Sequence, residues 1–150
     1  MSHIATVSCK IMDLAALKEA AKELGGIFVE NQKTYKWYGR SMGDAPLPAG
    51  MTVKDLGKCT HAIKLPGVNY EVGVVKQKDG SYTLAYDYFT YAPNGHDGGK
   101  LLEKFGPKLD TLTMLYSVHV ATMQARARGW SVARQPGKNG AVNLMVTGIR

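Results

Sequence analysis

Residues 72–91, VGVVKQKDGSYTLAYDYFTY, decide the fold of this 150-residue chain. Two runs of strand-forming residues flank Asp79-Gly80. That dipeptide is the strongest short-range hairpin signal, because a type I′ turn needs φ > 0 at both central positions. The arm after the turn holds Tyr82, Tyr86, Tyr88, Phe89 and Tyr91. By the two-residue period of a strand, Tyr82, Leu84, Tyr86 and Tyr88 share one face, and Thr83, Ala85, Asp87 and Phe89 the other. A face of three tyrosines and a leucine is apolar enough to cover a helix and polar enough to meet a partner. Tyr82, Tyr86 and Tyr88 are therefore the candidate partner-binding residues of the hairpin.

Upstream, residues 3–11 alternate apolar and polar as a half-buried strand does, with Ile4 out of register with Val7 and Ile11, which predicts an irregularity. Asp13 is placed to cap a helix. Leu14, Leu17, Ala21 and Leu24 form its apolar stripe, and Gly25-Gly26 ends it. Residues 27–38, IFVENQKTYKWY, read as a second strand region. Residues 39–57 read as a surface excursion with a short helical turn near 53–56. Strand character resumes at 61–65 and 69–77, broken by a turn at Pro66-Gly67.

Downstream, 92–99 is a loop, and 101–105 a short helix stopped by Gly106-Pro107. A long helix runs from Asp110 or Thr111 to about Ala127, with Leu112, Leu115, Tyr116, His119 and Met123 on one stripe. It is apolar nearly all round, so it is expected to be largely buried. Gly129 ends it, and 130–135 and 141–146 form two strands joined by PGKNG. This order predicts one α+β domain over 1–150, an antiparallel sheet of ferredoxin-like or related arrangement with two main helices on one face. Surface loops are expected near 39–60 and 92–110.

Hydrophobic residues make up 45% of the chain, which excludes intrinsic disorder. With no long apolar run and no leader-like N-terminus, the expectation is a cytoplasmic protein without a membrane partner. Cys9 and Cys59 are too few for a disulfide framework and read as reduced thiols. The net charge is +7, and residues 111–150 carry Arg126, Arg128, Arg134, Lys138 and Arg150 with no Asp or Glu. A one-sided basic third favours an anionic partner. Arg126, Arg128, Arg134 and Lys138 are the candidate anion-binding residues, for nucleic acid or a phosphorylated ligand. Arg126 and Arg128 also suit the negative end of the long helix.

No nucleophile elbow, Walker loop, dinucleotide fingerprint or metal-ligand spacing is present. The remaining chemistry is sparse. His96-Asp97 lies in a glycine-flanked loop where catalytic groups are often carried. Gly95, Gly98 and Gly99 ahead of Lys100 can make an anion nest. His119 reads as a hydrogen-bonded core residue, and Asp87 as a half-buried carboxylate expecting a Tyr or Arg partner. These signals predict no enzyme, no metal and no cofactor.

The opening MSHIATVSCKIMDLAALKEAAKELG, the arm DGSYTLAYDY, and the closing RARGWSV and GAVNLMV resemble a domain-of-unknown-function family. It is known from plastid and cyanobacterial genomes, as the Ycf thirty-five open reading frame, and from bacteriophages. The likeness covers about two thirds of the chain and leaves out 39–60 and 92–110. It implies a small non-enzymatic accessory protein with a protein partner, an AAA-type ATPase being suggested by gene neighbourhood. It supplies no functional residues to carry over. The leading expectation is an interaction module that docks a protein through the tyrosine hairpin or the basic C-terminal region. Nucleic-acid or phosphorylated-ligand binding by the basic third is the alternative, and a small-ligand site on the 92–100 loop a third.

Overall fold

The computed structural model describes residues 3–39, 46–90 and 97–148. Asp13 begins helix α1 (Leu14–Glu23), its carboxylate accepting from the free Ala16 amide at 3.1 Å. The helix ends as the glycine pair predicts. Gly25 takes φ +80°, and the Gly25 and Gly26 amides fold back onto the carbonyls of Lys22 and Ala21, the paired bonds of a Schellman cap.

Helix α1 joins two short edge strands, β1 (Ile4–Thr6) and β2 (Ile27–Val29). Between them lie β3 (His61–Lys64), β4 (Val72–Lys76) and β5 (Tyr82–Asp87). The sheet order is β1-β5-β4-β3-β2, antiparallel throughout. The fold is therefore a mixed α+β one, a four-strand meander with β1 added beside its last strand. The irregularity expected in the first strand is real. Ala5 pairs with Tyr86 and Thr6 with Ala85, but the bridge at Tyr82 is made by Ile11. The segment is thus two residues longer than its partner, bending at Ser8 and Cys9. An even insertion leaves Val7 and Ile11 on the same face.

After β5 come α2 (Gly98–Phe105) and α3 (Asp110–Ala127), then a separate two-stranded ribbon of β6 (Ser131–Pro136) and β7 (Val142–Thr147). As expected, the two main helices α1 and α3 pack against the sheet, and the short helix read at 101–105 is α2, which begins three residues earlier, at Gly98, inside the stretch expected as a surface loop. Gly106 turns the chain between α2 and α3, where Lys108 and Leu109 take consecutive left-handed conformations. Burial of Leu109 among Phe105 and Leu112 holds this strained junction in place.

The helix-facing core joins Leu17 and Ala21 of α1, Leu101 and Phe105 of α2, and Leu112 and Tyr116 of α3 to Ile63, Val74, Leu84 and Tyr86 of the sheet. The Tyr116 hydroxyl accepts from the amides of Met12 and Asp13, locking α3 to the start of α1. A second core lies on the opposite face. There Ile4, Ala62 and Ala85 meet Tyr35 and Leu56, with Trp37 and Met51 alongside.

Residues 27–38 depart from expectation. The strand stops at Val29, Asn31 adopts φ +61°, and the chain then crosses the back of the sheet as a strap. Two glycines seat it. A Cβ on Gly73 would run into the Tyr35 ring, and one on Gly57 into the Trp37 indole. The Asp79-Gly80 turn also differs in type. Only Gly80 has positive φ, and Gln77 bonds to both Gly80 and Ser81. This is a three-residue loop with a glycine bulge. Asp79 turns its carboxylate onto the Ser81 amide and hydroxyl. The I′ signature, positive φ at both centres, appears instead at Asn139-Gly140 of the ribbon. Among the described residues, no helix is long and apolar enough to cross a membrane.

Replacing Gly73 by Ala should force the Tyr35 ring off the sheet and destabilise the fold by about 1–3 kcal/mol. Urea denaturation reads this as a lower midpoint, and an unchanged midpoint would refute the seating of the strap on Gly73.

Candidate functional site

The tyrosines divide by depth. Tyr86 is buried with Leu84 against the helices, at 3% exposure, and Tyr82 is half-buried in the same core. Of the three, Tyr88 is the most open, at 42%, stacked on the His3 ring with centroids 5.1 Å apart. The period-two face assignment holds, but that face packs inward, so the three tyrosines do not form one exposed patch. Tyr86 and Tyr88 line one wall of a groove of about 730 Å³ between the first strand segment and the α2–α3 junction. Its other walls include Leu102, Pro107, Lys108 and Asp110. Cys9 also borders it, with its thiol raised by burial. Burial pushes the Cys59 thiol up to about 11. Both sulfurs are therefore neutral at physiological pH, which makes them poor nucleophiles.

Asp87 is fully buried and accepts from the backbone amides of His3, Tyr38 and Phe89, each at 3.0 Å. Among the described residues its partners are main-chain amides, and the expected Tyr partner is met only through the backbone of Tyr38. Glu71, also buried, accepts from the Lys36 amide and the Gln32 side chain, with Lys64 3.6 Å away. These carboxylates stitch the strap to the sheet.

The glycine loop is likewise structural where it is described. Asp97 is buried and caps α2 through the Gly99 amide at 3.2 Å, so its own carboxylate fills the place an external anion would take. Gly98 lies so close to the β5 terminus that a Cβ would meet the Asp87 and Phe89 carbonyls. His96 and Gly95 fall outside the described residues.

His61, missed as a site by the sequence, packs between the Phe28 and Tyr82 rings and accepts from the Asn31 amide through Nδ1 at 2.9 Å. Burial lowers its pKa. His119 is not enclosed in the core. It lies on the α1–α3 seam, with Nε2 3.1 Å from Glu23 Oε1.

The four candidate cations are all exposed but differ in their engagements. Arg134 donates to Glu23 Oε1 at 2.8 Å and reaches the His119 ring, tying the ribbon to both long helices. Burial pushes the Glu23 carboxyl up, but the bonds from Arg134 and His119 outweigh it and hold the group below its usual range. Arg128 lies over the Trp130 ring, 5.3 Å from its centroid. Arg126 stands in the last turn of α3, and Lys138 in the turn of the ribbon. Arg128 and Lys138 are therefore at opposite ends of a six-pair ladder, roughly 20 Å long at the usual strand rise. The cations cannot converge on one phosphate, so they suit an extended partner.

The ribbon is little covered by the rest of the described residues. No residue of β6 or β7 is buried, and Met145 and Val146 are 53% and 45% exposed. Among the described residues, no group of three or more His, Cys, Asp or Glu side chains can hold a metal ion. Comparison with protein-family models, curated proteins and solved structures finds no match.

Protonating His61 must break its Asn31 bond and charge a buried ring. Because its folded pKa is depressed, its stabilising effect is present above the unfolded value of about 6.5 and lost as pH falls through the folded value. Thermal melts from pH 7.5 to 5 should show wild type losing more stability than His61→Asn; parallel curves would refute this.

Proposed function

We propose that this protein is a non-enzymatic interaction module that docks a protein partner through its C-terminal ribbon. The observation that carries this reading is a six-pair β-ladder whose residues all remain at least partly exposed, with Met145 and Val146 open to solvent. A two-stranded hairpin is marginal by itself in water. Uncovered apolar side chains on such an element, rimmed by cations, favour association. The tyrosine hairpin contributes from within, by supporting the sheet. The family resemblance offers an AAA-type ATPase as the partner class.

A second reading, nucleic-acid binding, is favoured by the spacing between Arg126 and Arg128 at the end of α3 and Lys138 at the far turn of the ribbon. It predicts affinity falling by about 0.7 log units per log unit of salt for each phosphate neutralised on a single strand.

Met145→Glu, with an unchanged melting temperature, should lose the partner recovered with wild type by affinity purification from the native host. Tyr86→Phe should retain it. Retention by the Met145→Glu protein would overturn the ribbon as the docking element.

A further inference from the structure

The two edges of the ribbon are unequal. The Gly137 amide donates to the Ala141 carbonyl at 2.8 Å, which sets the alternation of the ladder. Hydrogen bonds within it fall on Gln135–Asn143, Ala133–Met145 and Ser131–Thr147. The N–H and C=O groups of Val142, Leu144 and Val146 consequently point away from β6, along the outer edge of β7. On the other side, the outward positions of β6 are Val132, Arg134 and Pro136. Proline has no donor, and Arg134 is a charged guard, so that edge is blunted in the way natural sheets avoid pairing. The outer strand, VNLMVT, carries no charge and no proline. Among the described residues nothing pairs with it.

We infer that the outer edge of β7 is a strand-addition site, which takes an extended segment of a partner protein with acidic residues at both its ends. This rests on the interaction-module reading above and specifies its mode. Three outward donors and three outward acceptors in register ask for an extended peptide backbone. Charge selects its flanks. Arg128 stands by the Trp130 end of the ladder and Lys138 at its turn, and no Asp or Glu occurs between 111 and 150 to neutralise them. A second copy pairing β7 with β7 would bring these cations together, and like charges across an interface disfavour that arrangement. The incoming strand matches the six residues of β7 in length, with Asp or Glu just outside.

Two synthetic peptides with a shared Thr-Val-Thr-Val-Thr-Val centre provide the test, one flanked by Asp-Glu and the other by Lys-Arg. In the full chain at low salt, the acidic-flanked peptide should slow amide exchange at Val142, Leu144 and Val146. It should also bind at least about tenfold more tightly than the basic-flanked one. Leu144→Pro removes an outward donor without touching the ladder and should weaken binding about tenfold or more, the scale of one backbone hydrogen bond. Val146→Lys, which guards the edge by charge, is the second variant should the proline disturb the fold.

Equal binding of the two peptides, or none at millimolar concentration, overturns the inference. So does a dimer in sedimentation equilibrium that Leu144→Pro dissociates, or single-stranded DNA protecting the same amides. If Met145→Glu abolishes partner capture while Leu144→Pro and Val146→Lys leave it intact, edge pairing fails and the interaction-module reading stands.

Discussion

The sheet depends on two buried carboxylates doing the work of a missing strand. The strap that crosses its back face is not part of the ladder, so its amides need acceptors that regular secondary structure does not provide. Glu71 supplies one for Lys36, and Asp87 supplies one for Tyr38 while also holding His3 and Phe89. A hydrogen bond that satisfies an otherwise orphaned amide contributes about 0.5–1.5 kcal/mol net, and several converging on one carboxyl group offset part of the cost of burying it. Without that fixing, Ile4, Ala62 and Ala85 would face water. The second core exists because these acids are inside.

The helix side is held by more ordinary means, which also fix the ribbon's position. Helices α1 and α3 are joined by the Tyr116 hydroxyl at one end and by the Glu23–His119–Arg134 cluster at the other. The ion pairs are half-exposed, a setting in which they contribute at most about 1 kcal/mol. They orient the ribbon without burying it. The consequence is an element positioned against the body yet, among the described residues, unpaired along its outer strand.

Local rules made much of this legible from residues alone. Asp13 and Gly25-Gly26 bound α1 because caps are chemistry of single positions. The alternation along β5 gives the right faces because a strand has period two. The alternation alone leaves open whether that face meets a helix or a partner; Leu84 between the tyrosines is the clue to the inward side, which it shares with Tyr86. The strap was unreadable for a different reason. Residues 27–38 carry strand-forming side chains, but Asn31 turns the chain off the edge, and the seats at Gly57 and Gly73 lie far away in sequence. The Asp79-Gly80 loop keeps its place and takes another type, with Asp79 outside the left-handed region and its carboxylate accepting from the Ser81 amide. Of the candidate site, the basic residues were visible as composition, whereas the unequal edges of the ribbon emerge only from the register of the ladder.

The glycine seat under Trp37 has an optical corollary. The chain has two tryptophans. One rests in the strap over Gly57, and the other, Trp130, lies at the root of the ribbon beneath Arg128. The two irregular parts of the molecule thus carry one indole chromophore apiece. Emission from Trp37 follows the back of the sheet, and emission from Trp130 follows the docking element, so two single-tryptophan proteins would separate the two regions spectroscopically without any added label.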